Sequence, residues 1–270
     1  MAVAEELTHA RSYSRSLERG LAILSAFRSN RPLLGVSELA EEVGLNRSTT
    51  HRYISTLATL GYLQQDAATR KYRLGPRVLD LGFSAINSME LREIAAPHLQ
   101  ELSDKTGHTV NMAILDHADI VYIDRVRSPR PGQSQIDLNL HIGSRLPAYC
   151  TSMGKVMLAY LPEPALRDVV DRTDLIQRGP NTLTRRESLI GELARIRVSG
   201  LAVNNEELAY GLRSIAVAVR TPSGEPVAAV NLAVHRSMVS MDDLIARLGP
   251  ALRSTAEEIS RRIGHRSPAR

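Results

Sequence analysis

The chain has 270 residues, 43% of them hydrophobic and 23% charged, which suits a globular protein of one large or two ordinary domains with a real core. Its single cysteine, Cys150, excludes an internal disulfide and every multi-cysteine zinc pattern, and no apolar run reaches the length needed to span a bilayer. The net charge of +5 sits at the ends: residues 1–75 carry 10 basic and 7 acidic side chains, residues 76–251 carry 19 and 20, and residues 252–270 carry 5 and 2. Such a distribution points to an anionic partner for the first part.

Residues 1–15 are acidic and then basic, without periodicity or an apolar core. They are expected to be a flexible arm rather than a leader, so the expected location is the cytoplasm. From Ser16, Leu17, Leu21, Leu24 and Phe27 recur at helical spacing. Val36 to Leu74 then reads as a short helix capped by Ser37, with Glu38, Glu41 and Glu42 in its opening turn, a tight turn at Gly44, and a second helix capped by Asn46. At about 100° per residue this second helix gathers Thr50, Ile54 and Leu57 on one face. The opposite face carries Ser48, Arg52, Ser55 and Thr59, hydrogen-bonding and cationic groups without a carboxylate, as a helix beside phosphates and base edges requires. Gly61-Tyr62-Leu63 and Tyr72-Arg73-Leu74 flank a loop ending in Arg70-Lys71, the pattern of a β-hairpin with a basic tip. Residues 16–75 are therefore expected to form a winged helix-turn-helix that binds double-stranded DNA. The candidate contacts are Arg47, Ser48, Thr49, His51, Arg52 and Ser55 on the helix, with Arg70 and Lys71 at the wing tip.

Gly75-Pro76 breaks the strand, and residues 76–90 read as a linker helix through Val78, Leu79, Leu81 and Ile86. Leu91 to Lys105 continues helically and stops at Gly107. Beyond it the pattern changes to strands: Thr109 to Leu115 and Ile120 to Val126 form one hairpin, Ile136 to Ile142 alternates like a strand, and Ser214 to Arg220 and Pro226 to Val234 form a second hairpin. Helices are expected at Ser152 to Tyr160, Ala165 to Val170, Arg186 to Val198, and from Ser240, which pairs with Asp243 as a capping-box candidate, through a bend near Pro250. Strand pairs interleaved with helices give an α+β fold with an antiparallel sheet over residues 91–264, followed by a basic tail at 265–270.

Several stretches, SLERGLAIL, LAEEVGLNRSTTHRYISTLATLGYL, YRLGPRVLDLG, LPAYCTSMGKVMLAYLP, NNEE, GLRSIAVAV and PVAAVNLAV, together resemble the IclR family of bacterial transcriptional regulators over nearly the whole chain. LNLHIGSRLPAYCTSMGK is most like the Pca and Pob group, which controls catabolism of protocatechuate, 4-hydroxybenzoate and related aromatic acids. The resemblance implies a GAF-like effector domain after the winged head. It also implies a homodimer, or a dimer of dimers, on an inverted-repeat operator, and a small aromatic or dicarboxylic acid as effector, with no cofactor, metal, membrane or catalytic residue. Carrying the family's cavity over by motif gives Ser152 and Met153 at a helix start, Asn205 in NNEE, Ser214 in GLRSIA, and Asn231 with Ala233 in VNLAV. Leu138 and Leu140 are expected to supply apolar wall.

The helix start stands without the resemblance, because free amides there attract anions, although Ser152 capping its own helix explains the same residues. Asn231 is as readily a satisfied core amide. Two other functions are weighed: a regulator responding to a 2-oxo acid such as glyoxylate or pyruvate, and a small-molecule enzyme with an accessory nucleic-acid module. The second has only Cys150, His141 and scattered acids in its favour, with no GxSxG, Walker or HExxH motif.

Overall fold

Helix α1 (Arg15–Ser25) opens on Ser14, whose hydroxyl accepts from the Leu17 amide, so Arg15 belongs to the helix and not to the arm. The computed structural model describes residues 13–28, 30–87, 90–128 and 140–266. These divide into two compact units, Met1–Ala85 and Ile86–Arg270.

In the first unit α1 is followed by α2 (Val36–Glu42), α3 (Arg47–Thr59) and a hairpin of β1 (Leu63–Gln65) with β2 (Tyr72–Leu74). The cap of α2 is Gly35 and not Ser37: the chain is already helical at Val36, and the Glu38 carboxylate accepts from the Gly35 amide at 2.8 Å. Of the three glutamates expected in the opening turn, only Glu38 lies there. Gly44 makes the turn at φ 65°, and Asn46 caps α3 by accepting from the Thr49 amide at 2.8 Å. Ile23, Leu34, Leu39, Ile54, Leu63 and Tyr72 form the core beneath these elements, each aliphatic side chain contributing about 1.5–3 kcal/mol by its burial.

Helix α4 (Arg77–Asn87) crosses from one unit to the next. The second unit holds α5 (Glu90–Thr106) and a six-stranded antiparallel sheet of β3 (Thr109–Asp116), β4 (Asp119–Val126), β5 (Arg145–Pro147), β6 (Ala202–Asn205), β7 (Leu212–Arg220) and β8 (Pro226–His235), in the order β5-β4-β3-β8-β7-β6. Helices α6 (Ser152–Ala159), α7 (Glu163–Arg172) and α8 (Arg186–Ser199) follow β5, and α9 (Gly249–Arg266) closes the chain. The fold is α+β, as expected.

The strands show why the sheet has two different faces. Along β7, Ile215, Val217 and Val219 join the core under α5 and α9, while Ala216 and Ala218 face α6. β8 repeats the pattern, with Val230 and Leu232 on the first side and Ala229 on the second. Large aliphatic residues fill one layer, and alanines let α6 approach closely on the other. Gly154 lets the turn at 148–150 fold back against α6, since a Cβ there would stand 2.2 Å from the Ala148 Cα.

Three expectations need correction. Of the strand at 136–142, residues 136–139 lie outside the described residues and 140–142 belong to no strand; the edge strand is β5, three residues later. β6 was not anticipated, because four residues between a helix and a loop leave too short an alternation to recognise. The Ser240 hydroxyl does accept from the Asp243 amide, but the Asp243 carboxylate bonds that hydroxyl and not the Ser240 backbone. A π-helical turn over Leu244–Leu248 precedes α9, so the irregularity falls before Pro250, whose missing N–H cannot continue the ladder.

Candidate functional site

The exposed face of α3 carries Arg47, Ser48, His51, Arg52 and Ser55, while Thr50 and Ile54 are buried and Thr49 is half-buried with its amide held by Asn46. Among the described residues neither Arg47, Arg52 nor Arg70 enters an ion pair, so three guanidinium groups are presented to solvent. Arg70 ends the wing turn at φ 59°, in a loop whose Asp66 carboxylate accepts from the Thr69 amide at 2.8 Å. Lys71 differs from the expectation. Its ammonium lies 3.0 Å from Glu38 of α2, and that carboxyl is held below its ordinary range first by the Gly35 amide and then by Lys71. Lys71 thus ties the wing to α2, and Arg70 alone remains an outward cation of the pair.

The second unit contains a cleft of about 580 Å³, its open side included, on the alanine-rich face of the sheet. Its floor is set by strand pairing. Asn204, Ser214, Ala233 and Thr109 lie side by side across β6, β7, β8 and β3, and Asn231, Asn111 and Arg125 form the neighbouring row across β8, β3 and β4. The second row is one hydrogen-bonded chain: Arg125 donates to the Asn111 oxygen at 3.1 Å, and Asn111 donates to the Asn231 oxygen at 2.8 Å. With its oxygen engaged, Asn231 offers its amide hydrogens to whatever occupies the cleft.

A bulge brings Arg125 there. The β3–β4 register shifts between Met112 and Ala113, so that Met112 faces Asp124 and Ala113 faces Tyr122. Tyr122 and Arg125 therefore share the cleft face, while Asp124 turns to the other side and meets Arg92 of α5 at 3.5 Å. Burial pushes the Tyr122 phenol up to about 12, so it stays neutral.

The start of α6 forms the roof. Thr151, and not Ser152, is its cap, accepting from the Gly154 amide at 3.1 Å; the Ser152 hydroxyl instead lies 2.7 Å from that of Ser214. The amides of Ser152 and Met153 donate to no acceptor among the described residues and concentrate the positive end of the helix dipole. One turn on, Lys155 is 1% exposed and lies 2.5 Å from Glu207 and 3.8 Å from Glu192 of α8. Burial holds the Glu207 carboxyl above its ordinary range although Lys155 opposes that shift.

Of the expected ligand residues, Leu140, Ser152, Ser214, Asn231 and Ala233 line the cleft, and Leu138 lies outside the described residues. Met153 does not line it; its side chain is fully buried in the core between α6 and α8. Asn205 does not either, because alternation along β6 turns it to the opposite face, where it accepts from Arg213 at 2.9 Å. Its neighbour Asn204 lines the cleft and is fixed by donating to the Cys150 carbonyl at 2.7 Å and accepting from the Glu207 amide at 3.2 Å. Arg125, Asn111, Thr109, Tyr122, Asn204 and His235 are among the lining residues that sequence reasoning missed. Cys150 is fully buried and its thiol is pushed up to about 11 by that burial, so it is a neutral packing group at pH 7. No group of three or more metal-ligating side chains occurs among the described residues.

The two units correspond to two family models: the IclR helix-turn-helix domain matches residues 16–67, and the bacterial transcriptional regulator IclR C-terminal domain matches residues 83–261. The chain belongs to the IclR family. As an IclR-type transcriptional regulator it is 36% identical to the Pca regulon regulatory protein of Pseudomonas putida, over 93% of this chain and 84% of that one. It is 33% identical to the p-hydroxybenzoate hydroxylase transcriptional activator of Acinetobacter baylyi, over 92% and 91%. Among solved structures it is similar to a transcriptional regulator of Rhodococcus sp. RHA1, with a TM-score of 0.79 and 39% identity, covering 94% of this chain and all of that one. Helix α3 lies within the matched helix-turn-helix domain, and the cleft lies within the matched C-terminal domain.

Proposed function

We propose that this regulator binds an inverted-repeat operator as a homodimer, or a dimer of dimers, and that a small aromatic carboxylic acid in the cleft changes its affinity for that operator. One observation carries the ligand reading: among the described residues no carboxylate lines the cleft, while the Asn231 amide, whose oxygen is engaged by Asn111, and the unpaired α6 amides offer donors to an anion. Tyr122, Leu140, Leu208 and Leu212 supply apolar wall for a ring. The similarity to regulators named for the Pca regulon and for p-hydroxybenzoate hydroxylase supports the same ligand class.

Each head exposes Leu17 and Leu21 on α1 and Leu79 and Leu81 on α4, 54–63% accessible, apolar surface that a second copy covers in a dimer. Among the described residues no helix is long and apolar enough to cross a membrane; the location proposed for a DNA-binding regulator of this family is the cytoplasm.

Calorimetry with protocatechuate, 4-hydroxybenzoate, β-ketoadipate and pyruvate, followed by mobility shifts on the operator with and without the acid that binds best, tests the proposal. An aromatic acid is expected to outbind its own methyl ester and to move the DNA affinity, since a ligand shifts an equilibrium only through differential affinity for the two states. Tightest binding by pyruvate or glyoxylate overturns the aromatic reading.

A further inference from the structure

Strand β8 ends, on the cleft side, in an imidazole that the proposed function leaves unused. Asn231, Ala233 and His235 alternate on one face, so His235 stands over the same cavity one step beyond Ala233. Its Nδ1 lies 3.2 Å from the Ser237 amide nitrogen and 2.7 Å from the Ser237 hydroxyl oxygen. A backbone N–H can only donate, which assigns the neutral ring the tautomer that accepts at Nδ1 and carries its proton on Nε2. Should the ring take a second proton, the hydroxyl oxygen is in place to accept from Nδ1–H. In both charge states, then, Nε2 is a hydrogen-bond donor. It meets no acceptor among the described residues, and it lies against Gly211, where a Cβ would come within 2.6 Å.

Strand pairing also places this donor and the α6 start over neighbouring rows of the sheet. His235 faces Leu212, and Ala233 faces Ser214, whose hydroxyl touches that of Ser152. Two residues along a strand separate these backbone rows by about 7 Å, so the imidazole and the α6 start border the cleft from different rows, as a ring with oxygen groups at opposite ends requires.

Resting on the aromatic-acid reading, we propose that His235 is a specificity-determining residue of the effector site. Its Nε2–H receives an oxygen substituent on the ring opposite to the carboxylate that is seated at the start of α6.

The test is calorimetry on the full chain with benzoate, 3-hydroxybenzoate and 4-hydroxybenzoate, for the parent, His235→Ala and His235→Gln, with thermal unfolding recorded for each variant. The parent is expected to bind 4-hydroxybenzoate at least tenfold more tightly than the other two acids. His235→Ala is expected to abolish that preference, and His235→Gln, which keeps a donor, to restore part of it. If the parent's preference survives in His235→Ala, or if both variants weaken all three acids by one common factor, the assignment to His235 is overturned while the aromatic-acid reading stands. If the parent binds none of the acids, both are overturned together. Should His235→Ala not fold, the comparison of His235→Gln with the parent decides: a preference reduced selectively for the para acid supports the proposal, and an equal loss for all three overturns it.

Discussion

At the scale of single residues, function divides between cations that face outward and amides that are committed. Arg52 lies central on the open face of α3 and Arg70 at the wing tip, neither in an ion pair among the described residues. Arg52→Ala should cost at least about 1 kcal/mol on the operator, whereas Arg70→Ala should weaken specific and random DNA alike and lower the salt slope by about one. Mobility shifts over a salt series distinguish these outcomes, and equal binding by parent and both variants would remove α3 from the interface. In the cleft, Asn231→Asp places a carboxylate beside the bound acid. Affinity is expected to fall tenfold or more, about 1.4 kcal/mol, with Asn231→Ser milder, as read by calorimetry. Sequence made these residues legible where chemistry alone decided. Arg70 and Lys71 look equivalent in the chain, yet the wing turn points one at solvent and the other at Glu38. Asn204 and Asn205 likewise read as one feature, and only the phase of a four-residue strand separates ligand wall from the opposite face.

Among the elements, α3 was the most legible, because thirteen residues at helical spacing show a buried face at Thr50 and Ile54 without any tertiary knowledge. The α6 start was half legible. Its position followed from the small-residue run, but the cap moved to Thr151, and the burial of Lys155 leaves no trace in local pattern since a lysine in a helix normally faces water. That lysine now joins α6 to the Glu206–Glu207 loop and to α8. Lys155→Met should destabilise the domain by about 3–5 kcal/mol, because Glu207 is left buried without its partner, and the double variant Lys155→Met with Glu207→Gln should recover a large part of that loss. Urea denaturation of the three proteins measures it. A single variant as stable as the parent would mean that the pair contributes nothing to the fold.

For the whole molecule, the division at Ala85 and Ile86 separates a unit with exposed guanidinium groups from one with an anion-favouring cleft. A protein beginning at Ile86 should fold and bind the effector with parental affinity while binding no DNA. Loss of cooperative unfolding in that fragment would show that residues 1–85 complete its core. The bulge in β4 has a consequence on this scale as well. Because the ladder and not the composition sets the phase of the strand, the electrical character of the chamber is written in one out-of-step residue. Strict alternation onward from Tyr122 would bring Asp124 inward in place of Arg125, exchanging a cation for a carboxylate with every side chain the same, and the extra residue at Ile123 is what keeps the guanidinium inside. Deleting Ile123 should therefore remove the bulge and still leave Arg125 inward and Asp124 outward.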